Sequence, residues 1–255
     1  MNAQRLIELA KLCVASYPAT DLPEHIWRVL LSESIGSPIR FFQRSGTDAF
    51  GFIRRGCAIL TIRGTYGSYD WITNATCRKT RHEIGGKVHL GFDSSARSIF
   101  PEVCEWLDEE KPRQIYICGH SLGAAVATLL ASKLSYTGYR ISGLLTLSSP
   151  RIGNRKFRNM LNSRLGETWI RTQVCRDMVP RLPPLFFGYH HGGKHVYFDR
   201  RDECHIKPYL SYQLHDRLMD WIADWSNKDA RGIVDDHSAE ENLRLVRMHA
   251  EKITR

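Results

Sequence analysis

The stretch Ile115 to Leu130, IYICGHSLGAAVATLL, decides the fold. Its short apolar start predicts a buried strand, and the alanine-rich run from Ala124 predicts a helix. Between them lies Gly119-His120-Ser121-Leu122-Gly123, a G-x-S-x-G pattern that is typical of a nucleophile elbow in a strand–turn–helix setting. The elbow strains the serine backbone, so the flanking glycines avoid clashes with the neighbouring strand and helix. The pattern predicts that Ser121 is a nucleophile at a helix N-terminus, beside free N–H groups.

The composition of the 255-residue chain is that of an ordinary globular protein, with 42% hydrophobic and 25% charged residues. This length suffices for one large α/β domain, and we expect a single domain over residues 1–255. The net charge of +9 is explained first by solvated basic faces and second by binding to an anionic lipid surface. No long basic run indicates nucleic-acid binding, and no apolar stretch reaches the roughly eighteen residues that a transmembrane helix needs.

The cysteines and the N-terminal residues bear on the compartment. The seven cysteines form no C-x-x-C pair, and the first residues, MNAQRLIELAKLCVASYP, lack the apolar core of a signal peptide. Free cysteines are typical of a reducing compartment. We therefore expect a cytoplasmic protein, with signal-independent export as the alternative.

Apolar periodicity divides the chain into alternating strands and helices. Residues 39–44 and 50–63 are predicted to form two or three strands, with Gly56 at a turn or bulge, and further strands cover residues 141–147, 168–175 and 194–199 besides the one before Ser121. Predicted helices cover residues 3–16, 94–110, 154–165 and 211–225. A second helix is expected to end near residue 31, and the capping-box pair Ser238 and Glu241 starts a final helix through residue 251. This alternation predicts an α/β fold with a largely parallel central sheet flanked by helices.

A nucleophilic serine needs a histidine base and an acid that orients the base. In α/β-hydrolases these partners follow in the order Ser, Asp or Glu, His. Asp177 lies in the loop just past the predicted strand 168–175 and is the favoured acid, whereas Asp199 and Asp202 lie in a run that looks solvent-facing. Seven histidines follow the serine: His190, His191, His195, His205, His215, His237 and His249. Order alone favours His215, at the start of a late amphipathic helix, with His205 next.

Several further blocks carry a family resemblance. They are Arg63-Gly64-Thr65, Asp70-Trp71, Val88-His89-Leu90-Gly91-Phe92, Ser149-Pro150-Arg151-Ile152-Gly153-Asn154 and Asp177-Met178-Val179-Pro180-Arg181-Leu182-Pro183. With the elbow, they make the chain resemble the class 3 lipases, the family of the filamentous-fungal triacylglycerol lipases, from about Ala58 to Trp225. The resemblance implies an α/β-hydrolase fold in which Ser121 is the nucleophile, Asp177 the acid and His215 the base.

An oxyanion hole and a lid are also expected. The elbow predicts the backbone N–H of Leu122 as one oxyanion donor, and the resemblance implies Thr65 as the second. The resemblance also implies a lid in the segment after Thr65, with an apolar side; a fixed, buried loop is the alternative. The candidate lid residues are Tyr66, Tyr69, Trp71 and Ile72.

The expected function is that of a serine carboxylester hydrolase, foremost a triacylglycerol lipase that acts on acylglycerols at a lipid–water interface. The alternatives are a phospholipase A1, a short-chain or feruloyl-type esterase and, least favoured, a non-catalytic lipase-like binding protein. No cofactor is expected. Zinc would accept the side chains of a late cluster, but their spacing matches no standard site and no metal is expected. That cluster comprises His190, His191, His195, Cys204 and His205.

Overall fold

A computed structural model describes residues 1–18, 23–64, 77–227 and 237–255, with the backbone alone described from 219 to 227. Its main sheet contains β1 (Ile39–Arg44), β2 (Thr47–Arg54), β3 (Cys57–Ile62), β6 (Gln114–His120), β7 (Ile141–Leu147), β8 (Trp169–Val174), β9 (Lys194–Phe198) and β10 (Cys204–Ile206). A separate two-stranded ladder pairs β4 (Lys79–Arg81) with β5 (Lys87–His89).

The strands of the main sheet are adjacent in the order β1-β2-β3-β6-β7-β8-β9-β10. Every pair from β3 to β9 is parallel, because helical connections return the chain to the same edge. The pairs β1–β2, β2–β3 and β9–β10 are antiparallel. The predicted largely parallel sheet is confirmed, and its carboxyl edge carries the elbow and the loop after β8.

Helices cover both faces of this sheet. Their bounds are α1 (Ala3–Ala15), α2 (Glu24–Ile35), α3 (Leu90–Glu110), α4 (Leu122–Tyr136), α5 (Arg155–Leu165), α6 (Leu210–Asn227) and α7 (Ala239–Thr254). One apolar core joins α3, α4 and α5 to one face of the sheet, and a second core joins α1, α2 and α7 to the other. Two buried faces explain why strands such as β3 and β8 are buried along their whole length.

Some boundaries differ from those predicted, and local chemistry explains two of them. Helix α3 begins at Leu90 rather than Ser94, because the His89 ring accepts the Phe92 N–H at 3.4 Å and caps the helix. Helix α2 continues to Ile35 and ends at Gly36, whose φ of 65° is the left-handed conformation of a helix C-terminus. The short edge strand β10 carries no apolar alternation that would have revealed it. Within the described ranges, no helix has both the length and the apolar character that a membrane span requires.

Candidate active site

The elbow predicted from the sequence joins β6 to α4. Ser121 has φ 57° and ψ −127°, a strained conformation for a residue with a side chain. A Cβ atom on Gly123 would lie 2.3 Å from the Ile62 carbonyl oxygen, and one on Gly119 would lie 2.5 Å from the Gly123 oxygen. Only glycine fits at both positions. The turn therefore presents Ser121 at the carboxyl edge of the sheet, before the first turn of α4.

Ser121, His237 and Asp177 form a continuous hydrogen-bonded chain. The His237 Nε2 atom lies 2.9 Å from Ser121 Oγ, and its Nδ1 atom lies 3.0 Å from Asp177 Oδ1. An ionised carboxylate can only accept a hydrogen bond, so Nδ1 carries the ring proton and Nε2 accepts the serine hydroxyl proton. Ser121 is 1% exposed, Asp177 0% and His237 7%. This arrangement can generate an alkoxide nucleophile shielded from water.

The loop after β8 fixes the carboxylate. The Val179 N–H donates to Asp177 Oδ1 at 2.9 Å, and the Asp177 N–H donates to the Val174 carbonyl at 3.3 Å. A 3-10 turn over Val179–Arg181 follows directly. The acid is therefore held by its own loop, in the position that the sequence predicts.

The structure corrects the expected base, because His237 and not His215 bonds to Ser121 and Asp177. His215 is exposed on α6, while its helix neighbours Gln213 and Asp216 are buried. Successive helical residues point in directions about 100° apart, so the packing of this helix turns His215 toward solvent. His237 directly precedes the Ser238 N-cap of α7. The capping box of Ser238 and Glu241 was the sequence signal that could have identified His237. It marks the start of the last helix and so places His237 in the loop just before it.

The other weighed candidates have different partners. His205 Nε2 lies 2.8 Å from Asp199 Oδ2, and the Tyr212 hydroxyl donates to the same carboxylate oxygen at 2.8 Å. Asp202 pairs with Arg244 at 2.8 Å. Neither acid contacts His237 among the described residues, whereas the Asp177 carboxylate does.

A second histidine positions the first. His120 Nε2 lies 2.6 Å from the backbone oxygen of His237, and its Nδ1 lies 2.9 Å from the Tyr17 hydroxyl. A carbonyl oxygen only accepts, so Nε2 carries the proton and Tyr17 donates to Nδ1. Burial and the nearby His237 lower the pKa of His120 to about 3. A neutral His120 thus links the segment after α1 to the backbone of His237.

The oxyanion hole and lid are only partly within the described residues. The N–H of Leu122 is the first of α4, where a helix leaves its N–H groups without intrahelical acceptors. Thr65 and the lid candidates Tyr66, Tyr69, Trp71 and Ile72 lie outside the described residues. At Gly64, the residue before Thr65, a Cβ atom would lie 2.9 Å from the His120 carbonyl oxygen. The end of β3 therefore approaches the elbow closely.

Two groups of described residues have the side chains for a metal site. In the group His82, Glu83 and Asp93, the ammonium of Lys133 lies 2.9 Å from Asp93 and 3.0 Å from Glu83, where a cation would bind.

The second group is Asp199, Glu203 and His205. Its central carboxylate already accepts hydrogen bonds from the Tyr212 hydroxyl and from the backbone N–H groups of Arg201 and Glu203. The histidines His190, His191 and His195 belong to neither group, and all seven cysteines are free.

Known proteins resemble this chain in sequence and in fold. A secreted mono- and diacylglycerol lipase A of Penicillium cyclopium is 34% identical over 155 residues, 57% of this chain and 50% of that protein. A lipase of Rhizopus niveus is 30% identical over 207 residues, 74% of this chain and 53% of that protein. The crystal structure of a lipase from Rhizopus microsporus var. chinensis superposes with a TM-score of 0.66 and 29% identity, covering 80% of this chain and 76% of the other. The chain thus spans about half the length of these curated relatives.

The expected cytoplasmic location is wrong. The Penicillium relative and a Fusarium solani relative, 35% identical over 147 residues, are both named as secreted lipases, and these names contradict the expectation. Free cysteines and a polar N-terminal stretch were weak signals, because cysteine usage reflects packing as well as redox compartment.

The family itself follows from the sequence match. The family model of Lipase (class 3) matches residues 59–187, half of the chain. The matched region runs from β3 through the elbow and the Asp177 loop, and solved fungal lipases share the surrounding α/β-hydrolase fold. The chain belongs to the class 3 lipase family.

Proposed function

We propose that this protein is a serine carboxylic ester hydrolase that acts on acylglycerols, with Ser121 as nucleophile, His237 as base and Asp177 as acid. The hydrogen-bonded chain of these three buried side chains is the observation that carries the proposal. Membership of the class 3 lipase family supports the same reaction.

The first half of the reaction is acylation of Ser121. His237 Nε2 takes the hydroxyl proton as Oγ attacks the ester carbonyl, and Asp177 stabilises the imidazolium that forms. The imidazolium then protonates the leaving alcohol of the glycerol backbone. The His237 carbonyl, held by His120, keeps the ring near Oγ during both proton transfers.

The tetrahedral intermediate places a negative charge on the former carbonyl oxygen. The Leu122 N–H at the start of α4 is the proposed first donor, assisted by the positive end of the helix dipole. Thr65 is the proposed second donor, because it directly follows Gly64, which lies close to the His120 carbonyl oxygen. In the second half of the reaction, His237 activates a water molecule that releases the fatty acid.

Substrate access requires movement near the elbow. Ser121 is 1% exposed, so an ester carbonyl reaches Oγ only when covering residues are displaced. We assign this movement to the segment of Tyr66, Tyr69, Trp71 and Ile72, which would exchange a polar for an apolar surface at a lipid interface. Triacylglycerol is the substrate expected from the motifs, and the name of the Penicillium relative makes mono- and diacylglycerols the comparison substrates.

The test compares variants on p-nitrophenyl esters from acetate to palmitate, on emulsified glycerides and on phospholipid vesicles. Ser121→Ala and His237→Ala are expected to lose about 10⁴-fold or more in kcat, since each removes an essential member of a catalytic unit. The exposed His215→Ala is the matched control and should retain wild-type activity. Circular dichroism confirms that each variant is folded.

Each outcome assigns or rejects a function. Activity that rises toward long chains and appears on emulsified glycerides supports the acylglycerol lipase. Activity confined to short chains makes the protein an esterase, and release of fatty acid from phospholipid alone makes it a phospholipase. Loss of activity in His215→Ala with a functional His237→Ala would refute the assignment of the base.

A further inference from the structure

Five basic side chains meet behind the loop that carries Asp177, and we call them the arginine cluster. Arg171 on β8 and His195 on β9 are direct partners in the parallel ladder. Arg181 follows Asp177 in its loop, Arg151 lies in the loop after β7, and Arg217 lies on α6. The cluster thus unites side chains from two strands, two loops and one helix.

Backbone contacts hold these side chains in place. Arg151 donates to the carbonyl of Arg181 and, at 2.9 Å, to that of Pro183. The Arg181 guanidinium donates to the Cys175 carbonyl at 2.8 Å, and the Arg171 Nε–H donates to the Gly192 carbonyl at 3.3 Å.

Arg217 reaches the cluster from the covering helix. Its guanidinium lies 6.0 Å from the centre of the Tyr197 ring, two residues beyond His195 on the same face of β9. The cluster is therefore built into the fold and is not a set of mobile surface side chains.

Several donors of the cluster are buried without a hydrogen-bond partner among the described residues. Arg171 is only 4% exposed, and its Nη1 atom is one of them. The others are Arg181 Nε and Arg217 Nε, and the Nε2 atom of the neutral His195 ring is also buried without a partner. Buried polar groups are nearly always hydrogen-bonded, so several unsatisfied donors in one place indicate an acceptor ligand.

One carboxylate, that of Asp177, acts on the cluster from a distance and raises the pKa of Arg181 against the effect of burial. Within the described ranges, no carboxylate lies within ion-pair distance of Arg151, Arg171, Arg181 or Arg217. Burial, with the charge of Arg151, lowers the pKa of Arg171 to about 9. Burial, with the charges of Arg217 and Arg181, lowers the pKa of Arg151 to about 10. Buried charges are normally paired because desolvation disfavours them.

We propose that the arginine cluster binds a phosphate-type oxyanion, either free phosphate or the phosphate group of an ester such as a lipid head group. A tetrahedral anion has several acceptor oxygens, so one anion can accept from unpaired guanidinium donors on Arg171, Arg181 and Arg217. The anion would link β8 and β9 to α6 and to the loop of Asp177. This site goes beyond the proposed ester hydrolysis, and its test does not depend on that activity.

The experiment measures the melting temperature of the full chain in sodium phosphate and in sodium chloride of equal ionic strength. Phosphate is expected to raise the wild-type melting temperature by about 5 °C more than chloride at a saturating concentration. Arg171→Met should melt at or above the wild type in chloride, because it removes a buried unpaired charge. In phosphate it should lose the added stabilisation. The exposed Arg140→Gln is the control and should respond like the wild type.

Arg217→Gln repeats the test from α6 if Arg171→Met fails to fold. Equal responses to phosphate and chloride, or an undiminished phosphate response in both variants, would overturn the proposal. Isothermal calorimetry then separates the sources of the anion. Tighter binding of glycerol 3-phosphate than of inorganic phosphate, lost in Arg217→Gln, supports a site for a lipid head group. Equal or weaker binding with the same dependence on Arg217 supports a site for free phosphate.

Discussion

At the scale of single residues, the site depends on a histidine that does not itself touch the nucleophile. His120 precedes Ser121 and hydrogen-bonds to the backbone of His237 at 2.6 Å, while Tyr17 completes its hydrogen bonding on the other side. Burial lowers the pKa of His120 and keeps the ring neutral, with its proton on Nε2. His120 therefore donates a hydrogen bond to the His237 carbonyl throughout the physiological pH range. Tyr17 and His120 are therefore positioning residues for the proposed base.

Tyr17→Phe tests this relay. The variant leaves the His120 Nδ1 atom without its donor and loosens the ring that holds His237. We expect kcat for ester hydrolysis to fall about 2- to 12-fold, the equivalent of one lost hydrogen bond, with KM unchanged. Tyr139→Phe removes a hydroxyl that bonds to Asp108 far from the site and is the matched control. An unchanged kcat in Tyr17→Phe would show that the hydrogen bond from Tyr17 to His120 does not position His237 for catalysis.

At the scale of elements, α7 places His237 beside Ser121. Its buried residue Asn242 accepts the Thr172 hydroxyl of β8 at 2.8 Å and donates to the Ser148 hydroxyl at 2.9 Å, just beyond β7. The Ser238 N-cap accepts the Glu241 N–H at 3.0 Å. The capping box therefore fixes the residue at which α7 begins. Asn242 anchors α7 to β8 and to the residue that follows β7.

Asn242→Ala should weaken this attachment. It leaves the Thr172 and Ser148 hydroxyls buried without their partner, and the free energy of unfolding should fall by about 2–4 kcal/mol. Ester hydrolysis should fall as well, because His237 loses the anchor of its helix. Urea denaturation measures the first effect, and Arg247→Ala, an exposed change on the same helix, should stay within about 0.5 kcal/mol of the wild type. Equal stability of Asn242→Ala and Arg247→Ala would contradict the anchoring role.

At the scale of the whole molecule, buried neutral histidines couple stability to pH. Burial lowers the pKa of His82 to about 4, with Lys133 contributing, and that of His120 to about 3. Burial beside Arg171 and Arg217 lowers the pKa of His195 to about 2. Each of these groups takes up a proton near pH 6.5 in the unfolded chain but not in the folded one. The unfolded state therefore binds more protons below this pH.

This difference predicts that stability rises with pH through the acidic range. Urea denaturation between about pH 8 and pH 5 should show a constant free energy of unfolding above about pH 7 and a decline below about pH 6.5. Each histidine adds up to about 1.4 kcal/mol per pH unit to that decline. His82→Gln should make the decline shallower, because the unfolded chain then binds one proton fewer. A flat profile across this range would show that these rings are protonated in the folded state.

The sequence by itself determined the elbow and the architecture, and it predicted the acid. Gly119, Ser121 and Gly123 encode a turn whose sterics are local, and Asp177 follows a strand whose apolar run is visible in the chain. Alternating strands and helices predict a parallel sheet, because parallel pairing requires a crossover between strands. Each of these features depends on neighbours in the sequence, and the structure contains all of them.

Only the tertiary structure decided which histidine meets Ser121. Residue order left seven candidates, and the choice depends on which face α6 turns to solvent and where the chain returns at α7. The arginine cluster was equally hidden, because Arg151, Arg171 and Arg217 are far apart in sequence and meet only through the order of strands and the packing of α6. Local patterns encode turns and faces, whereas contacts between distant segments arise from the packing of the whole chain.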